Sequence, residues 1–161
     1  QYTMHSLVAD DGRLKAVSDL RWGTGKVQIT RVQILDECER ETQLLETGKP
    51  MTIVFYYEAK ERVERPVFGL AIHRSDGIHI TGPNTKLCGV ELASIEGAGS
   101  VRYIQDSFSL LEGTYVVSVA VVSDDDTEMY DYHDRLYPFR VHAAADKKQS
   151  GLVDLGGRWI F

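Results

Sequence analysis

An alternation of large apolar side chains with small or polar ones runs through residues 68–81, and its two-residue period is that of a β-strand. The dipeptide Asp76-Gly77 interrupts the alternation and predicts a two-residue type I′ turn, which makes the segment a hairpin. One face of the first strand carries large apolar residues and predicts a core. The other face carries only Gly69, Ala71 and His73. A sheet face without bulky side chains lets a ligand approach the backbone closely.

Several further segments follow the same pattern, with turn residues between them. Residues 51–59 and 114–123 alternate best, and a change of phase near Thr30 predicts a β-bulge. Shorter strands are predicted at residues 27–35, 43–46, 101–104, 108–111, 136–142 and 152–161. Residues 86–99 are predicted to be mostly loop, and no amphipathic helix longer than about two turns is recognisable. The predicted fold class is all-β, an immunoglobulin-like antiparallel β-sandwich.

Length and charge limit the classes of protein to consider. A chain of 161 residues suits one domain with a substantial core. Residues 1–22 show no sustained period and are predicted to be a leader or linker before a sandwich domain at residues 23–161. The first residue is Gln1 rather than Met, which suggests a processed product or an excised fragment. The net charge of -6 and the lack of a basic stripe argue against nucleic acid and anionic membranes as partners.

The sequence contains no recognisable catalytic arrangement. It lacks a Gly-rich phosphate loop, a nucleophile elbow and a paired-His zinc motif, so no enzyme activity, cofactor or metal is predicted. The acidic run at residues 124–128 resembles part of a calcium loop but lacks the glycine and distal glutamate of an EF-hand. We interpret it as a solvated loop cap. Cys38 and Cys88 lack metal-ligand spacing and are predicted to be reduced.

Small residues on a second strand extend the bare face. Ser118 and Ala120 alternate with valines in residues 114–123, as Gly69 and Ala71 alternate with larger residues. If these strands and residues 51–59 share one sheet, the small residues floor a shallow groove that Tyr56 and His73 border. The alternative is that another segment or a second subunit covers this face.

Residues 130–134 form a second candidate region. Tyr132 and His133 lie there among carboxylates, and small-ligand sites combine aromatic faces with directed polar groups. The alternative is that these tyrosines pack on the sandwich edge.

A set of segments, in this order and spacing, resembles one known family. They are residues 21–25 entering 27–36, then 68–72, 76–77, 82–85, 110–115 and 137–141. The chain resembles the C-terminal carbohydrate-binding domain of the Wzt-type ATPase subunit of O-antigen polysaccharide ABC transporters, over most of residues 21–161.

The resemblance implies an immunoglobulin-like sandwich that forms a homodimer by exchanging its C-terminal strand. It implies binding of the modified non-reducing end of a lipid-linked O-antigen polysaccharide as an export signal. It also implies a cytoplasmic location at the inner face of the bacterial inner membrane, with the nucleotide-binding domain and the membrane subunit of the transporter as partners.

The resemblance provides no motif that identifies the sugar contacts. The candidate residues therefore come from the bare strand face and from residues 130–134. For carbohydrate binding they are Tyr56, Gly69, Ala71, His73, Ser118, Ala120, Tyr132 and His133. Two other classes stay open: an adhesion or scaffold sandwich without a small ligand, and a fragment of a carbohydrate-active enzyme.

Overall fold

The computed structural model describes residues 7–10 and 13–161, with side chains from residue 19 onward. Its strands are β1 (Leu7–Asp10), β2 (Arg13–Ala16), β3 (Arg21–Trp22), β4 (Val27–Leu35), β5 (Leu44–Glu46), β6 (Met51–Glu64), β7 (Val67–Arg74), β8 (His79–Thr81), β9 (Ser94–Gln105), β10 (Gly113–Val122) and β11 (Met129–His142). Two short 3-10 helices occupy Val17–Leu20 and Ala145–Lys147.

The strands form two facing sheets. The larger sheet has the order β3-β11-β10-β7-β8, and β5 joins it as a short parallel neighbour of β11. The smaller sheet has the order β4-β6-β9, and β1 pairs with β2 in a separate hairpin. The predicted all-β, immunoglobulin-like sandwich is therefore confirmed, whereas exchange of a strand between subunits stays a prediction. Among the described residues, none of the helices has the length and apolar character needed to cross a membrane.

Alternation on the strands creates the core. On β10 the inward face carries Tyr115 and the valines at 117, 119 and 121, each at most 1% exposed. Phe68, Leu70 and Ile72 of β7 face the same interior, and Ile53 and Phe55 of β6 pack there from the smaller sheet. The predicted inward and outward faces of β7 and β10 are thus confirmed. The small residues of both strands are left on the outer surface of the larger sheet.

Several predicted local features are confirmed and others are wrong. The register between β4 and β6 shifts between Ile29 and Arg31, where the bulge was predicted. Residues 94–99, which lie in the segment predicted as mostly loop, begin β9 and pair with β6. Gly99 lies opposite Tyr57 and leaves room for its ring. Residues 108–111 and 152–161 are not strands, since only the isolated bridge between Leu110 and Val153 connects them.

The hairpin between β7 and β8 has a longer turn than predicted. The Gly77 N–H donates to the Arg74 carbonyl, and the Arg74 N–H donates to the Ile78 carbonyl, which encloses a loop of residues 75–77. Gly77 has a φ of 95°, whereas Asp76 does not have the positive φ that a type I′ turn requires. The two-residue turn prediction is therefore wrong, because the glycine closes a three-residue loop instead.

The larger sheet extends to residues before position 23. Leu20 is 2% exposed, and Trp22 pairs with Tyr132 of β11. The sheet therefore includes residues on the leader side of the predicted boundary. The division of the chain into leader and domain stays a prediction.

Candidate functional site

A shallow groove of about 250 Å³ lies on the outer face of the larger sheet. Its floor comes from β7 and β10, where Ala71 is directly opposite Ser118 and Gly69 is directly opposite Ala120. The four small residues selected from the sequence therefore lie together. A sheet surface of this kind allows a flat ligand to lie against the strands.

One row of residues crosses the whole sheet at right angles to the strands. Its successive members are directly opposite one another: Trp22, Tyr132, Ala120, Gly69 and Asn84. Neighbouring strands are about 4.8 Å apart, so the row is about 19 Å long. Aromatic rings occupy one end of this row, small side chains the middle, and an amide the other end.

Two walls border the floor. Tyr132 forms one wall, and the Trp22 ring stacks behind it with ring centroids 4.3 Å apart and an interplanar angle of 27°. Residues 82–84 form the other wall, because the Leu70 N–H donates to the Pro83 carbonyl at 3.0 Å. The groove therefore has an aromatic wall and a backbone-rich wall, an arrangement that suits a ligand with both apolar faces and hydroxyl groups.

Gly69 allows residues 82–84, which form the second wall, to lie close to β7. A Cβ at position 69 would lie 3.2 Å from the Asn84 Cβ, closer than ordinary van der Waals contact. The Asn84 Oδ1 accepts the Leu87 N–H at 2.7 Å. Part of the bare face is thus covered by the chain itself at Gly69, and the open floor consists of Ala71 and Ala120.

Ser118 has a structural contact. Its side chain is buried, and its Oγ accepts the Arg135 N–H at 2.8 Å. Arg135 has a φ of 50° and lies where the register between β10 and β11 shifts. Ser118 therefore holds an irregular part of β11 in place while it forms part of the groove lining.

His73 lies beyond the end of the groove, opposite Val116. Its ring is 4.9 Å from the His79 ring, and its Nδ1 is buried without a hydrogen-bond partner. Burial lowers the pKa of His73, and the nearby His79 and Arg135 lower it further. Burial therefore favours the neutral imidazole, which is suited to hydrogen bonding rather than to charge pairing.

Tyr56 is not part of this groove. It lies on β6 in the smaller sheet, where its hydroxyl donates to Gln33 Oε1 at 2.7 Å and the Arg31 guanidinium lies 6.0 Å from its ring centroid. Residues 51–59 therefore do not share a sheet with β7 and β10, and the condition under which Tyr56 borders the groove is not met. Alternation determines which residues share a face of a strand, but it does not determine the sheet to which that strand belongs.

His133 faces the interior instead of the groove. It is 3% exposed, its Nε2 lies 3.1 Å from Asp131 Oδ2, and its Nδ1 lies 2.6 Å from the Tyr137 hydroxyl. Burial raises the pKa of Tyr137 to about 12, so its hydroxyl keeps its proton at neutral pH. Placing His133 in the surface site was therefore wrong. Residues 130–134 belong to a strand, so adjacent side chains point to opposite faces of the sheet.

Sequence reasoning missed two residues, one that lines the groove and one that stacks behind its aromatic wall. Trp22 was assigned to the leader, although an aromatic residue before Gly23 can start a short edge strand. Asn84 was not among the candidate residues, although it borders the groove across from Tyr132. Their pairing with Tyr132 and Gly69 depends on contacts between distant parts of the chain, which no local pattern indicates.

The acidic loop at residues 124–128 caps the turn between β10 and β11. Asp125 accepts hydrogen bonds from Ser123 Oγ at 2.8 Å and from Thr127 N and Oγ1 at 3.1 and 2.7 Å. These bonds, led by that of the Thr127 side chain, lower the pKa of Asp125 to about 2. The interpretation as a solvated loop cap is confirmed. Within the described residues, no cluster of His, Cys, Asp or Glu side chains has the geometry of a metal site.

The fold and the groove define a β-sandwich with an open, ligand-sized outer face. A family model, the Wzt C-terminal domain, matches residues 18–155. The chain belongs to this family, and membership supports its assignment as a carbohydrate-binding domain of an ABC transporter subunit.

A solved structure agrees with the family assignment. A crystal structure of the C-terminal domain of Wzt superposes with a TM-score of 0.72 at 16% identity, and the match covers 88% of this chain and 87% of that chain. At this identity the match establishes a shared fold.

A further solved structure superposes less well. The Pseudomonas fluorescens alkylpurine DNA glycosylase AlkC, bound to DNA, matches at 17% identity with a TM-score of 0.46, over 74% of this chain and 31% of that chain. No curated protein matches the sequence.

Proposed function

We propose that this domain binds the non-reducing terminus of a lipid-linked O-antigen polysaccharide in the groove between Tyr132 and residues 82–84, and thereby selects the finished chain for export by an ABC transporter. The observation that carries the proposal is the presence of this groove in a chain that belongs to the Wzt C-terminal domain family. Its floor is cleared at Ala71 and Ala120, and a stacked aromatic wall borders it.

The groove has the chemistry that a sugar ring needs. The C–H face of a pyranose packs on an aromatic ring, and Tyr132 offers one at the groove border. Sugar hydroxyls need directed partners. The Asn84 amide NH2 forms no hydrogen bond within the described part of the chain, and Asn84 lines the groove. We therefore propose Ala71, Ala120, Tyr132 and Asn84 as the contact set, with Gly69 and Ser118 shaping the floor. His73 lies beyond the groove end and is a proposed contact only for a ligand that extends past it.

We propose the same partners and location that the resemblance implies. The domain acts at the cytoplasmic face of the bacterial inner membrane, as a homodimer, next to the nucleotide-binding domain and membrane subunit of its transporter. The proposed role is binding without catalysis. Affinity for a single chain end should be modest, because a flexible, hydrated ligand loses freedom and water on binding.

Blocking the groove tests the proposal. Ala71→Arg and Ala120→Arg place a long side chain on the open floor and should weaken binding of O-polysaccharide from the source organism at least tenfold in calorimetry. Ala98→Arg is the matched control, because Ala98 is an exposed residue on β9 in the other sheet. Thermal unfolding should show that all three variants are folded. Normal binding by folded Ala71→Arg and Ala120→Arg proteins would place the site elsewhere.

A further inference from the structure

Trp22 is an exposed aromatic residue beside the groove but outside its lining. Its side chain is 50% exposed. Among the side chains described between residues 19 and 154, it is the one exposed Trp, Tyr or Phe. An exposed aromatic ring beside the groove offers a flat apolar surface on which the C–H face of a sugar ring can pack.

The position of Trp22 follows from the strand order. β3 lies one strand further from the groove than β11, and Trp22 is directly opposite Tyr132. The ring centroids are 4.3 Å apart, close to the spacing between neighbouring strands of about 4.8 Å. The stacked rings therefore face each other along the direction that crosses the strands. Tyr132 covers one face of the indole, and the other face is turned away from the groove.

Trp22 is held in place from both sides along the chain. The preceding residue, Arg21, donates from Nε and Nη2 to the buried Asp131 carboxylate at 3.2 and 2.9 Å. Two residues later, the Thr24 N–H donates to the Met129 carbonyl at 2.9 Å. An aromatic ring that is already ordered loses little conformational freedom when a ligand packs on it.

We propose that the outer face of Trp22 binds a second sugar ring, which belongs to a residue further along the polysaccharide than the chain end that lies in the groove. The proposal rests on the proposed function of the groove. The ligand class is a pyranose with an apolar C–H face, because the indole offers stacking and no charge. The domain then recognises two non-adjacent sugar residues of one chain, one on each side of the aromatic wall.

The length of the site supports two subsites. The cross-strand row from Trp22 to Asn84 is about 19 Å long, which exceeds the width of one pyranose ring. A terminal residue between Tyr132 and Asn84 would leave Trp22 uncovered. A longer ligand would cover it.

Ligand length provides the test. Non-reducing-end fragments of one and of four sugar residues are prepared from the O-polysaccharide of the source organism and titrated by calorimetry. Trp22→Ala should weaken tetrasaccharide binding about threefold to tenfold, the usual effect of one aromatic contact. It should leave monosaccharide binding unchanged. Trp22→Phe should retain most of the tetrasaccharide affinity, and Ala120→Arg should abolish binding of both ligands.

Fluorescence gives a second measurement on a protein with an intact groove. The chain has two tryptophans, so Trp159→Phe leaves Trp22 as the single indole. The tetrasaccharide should shift and quench its emission, whereas a saturating monosaccharide should change it little.

The possible outcomes separate the two proposals. An equal loss for both ligands in Trp22→Ala would mean that Trp22 acts only by supporting Tyr132, and it would overturn this inference. So would unchanged binding of both ligands, although the proposed function would stand. If the wild-type domain binds neither fragment nor the polysaccharide, the proposed function itself is wrong.

Discussion

Asp131 lies behind the groove on the inward side of β11 and accepts hydrogen bonds from two other strands. They come from Arg21 of β3 and, at 2.8 Å, from the Ile29 N–H of β4, while His133 contacts the same carboxylate from its own strand. Burial acts to raise the pKa of Asp131, but the hydrogen bonds from His133, Arg21 and Ile29 outweigh it and lower the pKa. A single carboxylate thus connects both sheets and holds the strand that carries Trp22.

Replacing this carboxylate should destabilise the fold in a pH-dependent way. Asp131→Asn removes the charge and should lower the free energy of unfolding by about 2 kcal/mol at pH 7, measured by urea denaturation. Because the pKa of Asp131 is lower in the folded state, its carboxylate stabilises the fold fully at pH values above the unfolded-state pKa of about 3.9. This contribution is lost as the pH falls through the lower pKa of the folded state. The difference between wild type and Asp131→Asn should therefore shrink below about pH 4.

Glu41→Gln is the matched control for Asp131→Asn. It removes an ion pair with Arg31 in which the two side chains are 52% and 58% exposed, so stability should change little. Equal effects of the two substitutions, or a difference that grows in acid, would contradict the role given to Asp131.

At the scale of elements, the groove depends on the close approach of residues 83–85 to β7. The Leu70 N–H donates to the Pro83 carbonyl at 3.0 Å, and the Thr85 N–H donates to the Phe68 carbonyl at 2.9 Å. This segment continues the pairing of β8 without being a regular strand. It forms a wall of the groove because Gly69 has no Cβ to push it away.

Gly69→Ala should displace this wall. The backbone at Gly69 does not have a positive φ, so alanine adds no backbone strain, but its Cβ would contact the Asn84 Cβ at 3.2 Å. We expect faster hydrogen exchange at the Leu70 and Thr85 amides and weaker glycan binding, with most of the thermal stability retained. Unchanged exchange at both amides would show that the wall tolerates the methyl group and that Gly69 has another role.

At the scale of the whole molecule, residues 155–161 leave the sandwich. The last anchored positions are Leu152, whose carbonyl accepts the Leu111 N–H at 2.9 Å, and Asp154, whose N–H donates to the Ser109 carbonyl at 2.8 Å. Beyond them Leu155, Trp159 and Ile160 are 91%, 92% and 79% exposed. An apolar segment without a core of its own can pack on a second copy of the chain, and exchange of a segment is a low-cost route to a dimer.

Deleting residues 155–161 should therefore convert a dimer into a monomer. The intact chain should sediment as a dimer at micromolar concentration, and the shortened chain should sediment as a monomer with a similar melting temperature. The sandwich should stay folded because the deletion leaves the contacts of Leu152 and Asp154 in place. A monomeric intact chain would rule out the proposed dimer.

The sequence by itself determined the all-β class, the inward and outward faces of β7 and β10, and the bulge in β4. These features depend on neighbours along the chain, since a two-residue period sets the face of every side chain in a strand. The same period correctly left small residues on an outer face. It also predicted strands at residues 108–111 and 152–161, where the chain has only one isolated bridge.

Only the tertiary structure decided which strands share a sheet. It moved Tyr56 to the opposite sheet, turned His133 inward and brought Trp22 beside Tyr132. The physical reason is that strand pairing joins residues far apart in sequence, such as positions 22 and 132, through backbone hydrogen bonds that any side chain permits. The small residues of the groove floor could therefore be predicted from local alternation. The aromatic wall could not, because it depends on which strands pair.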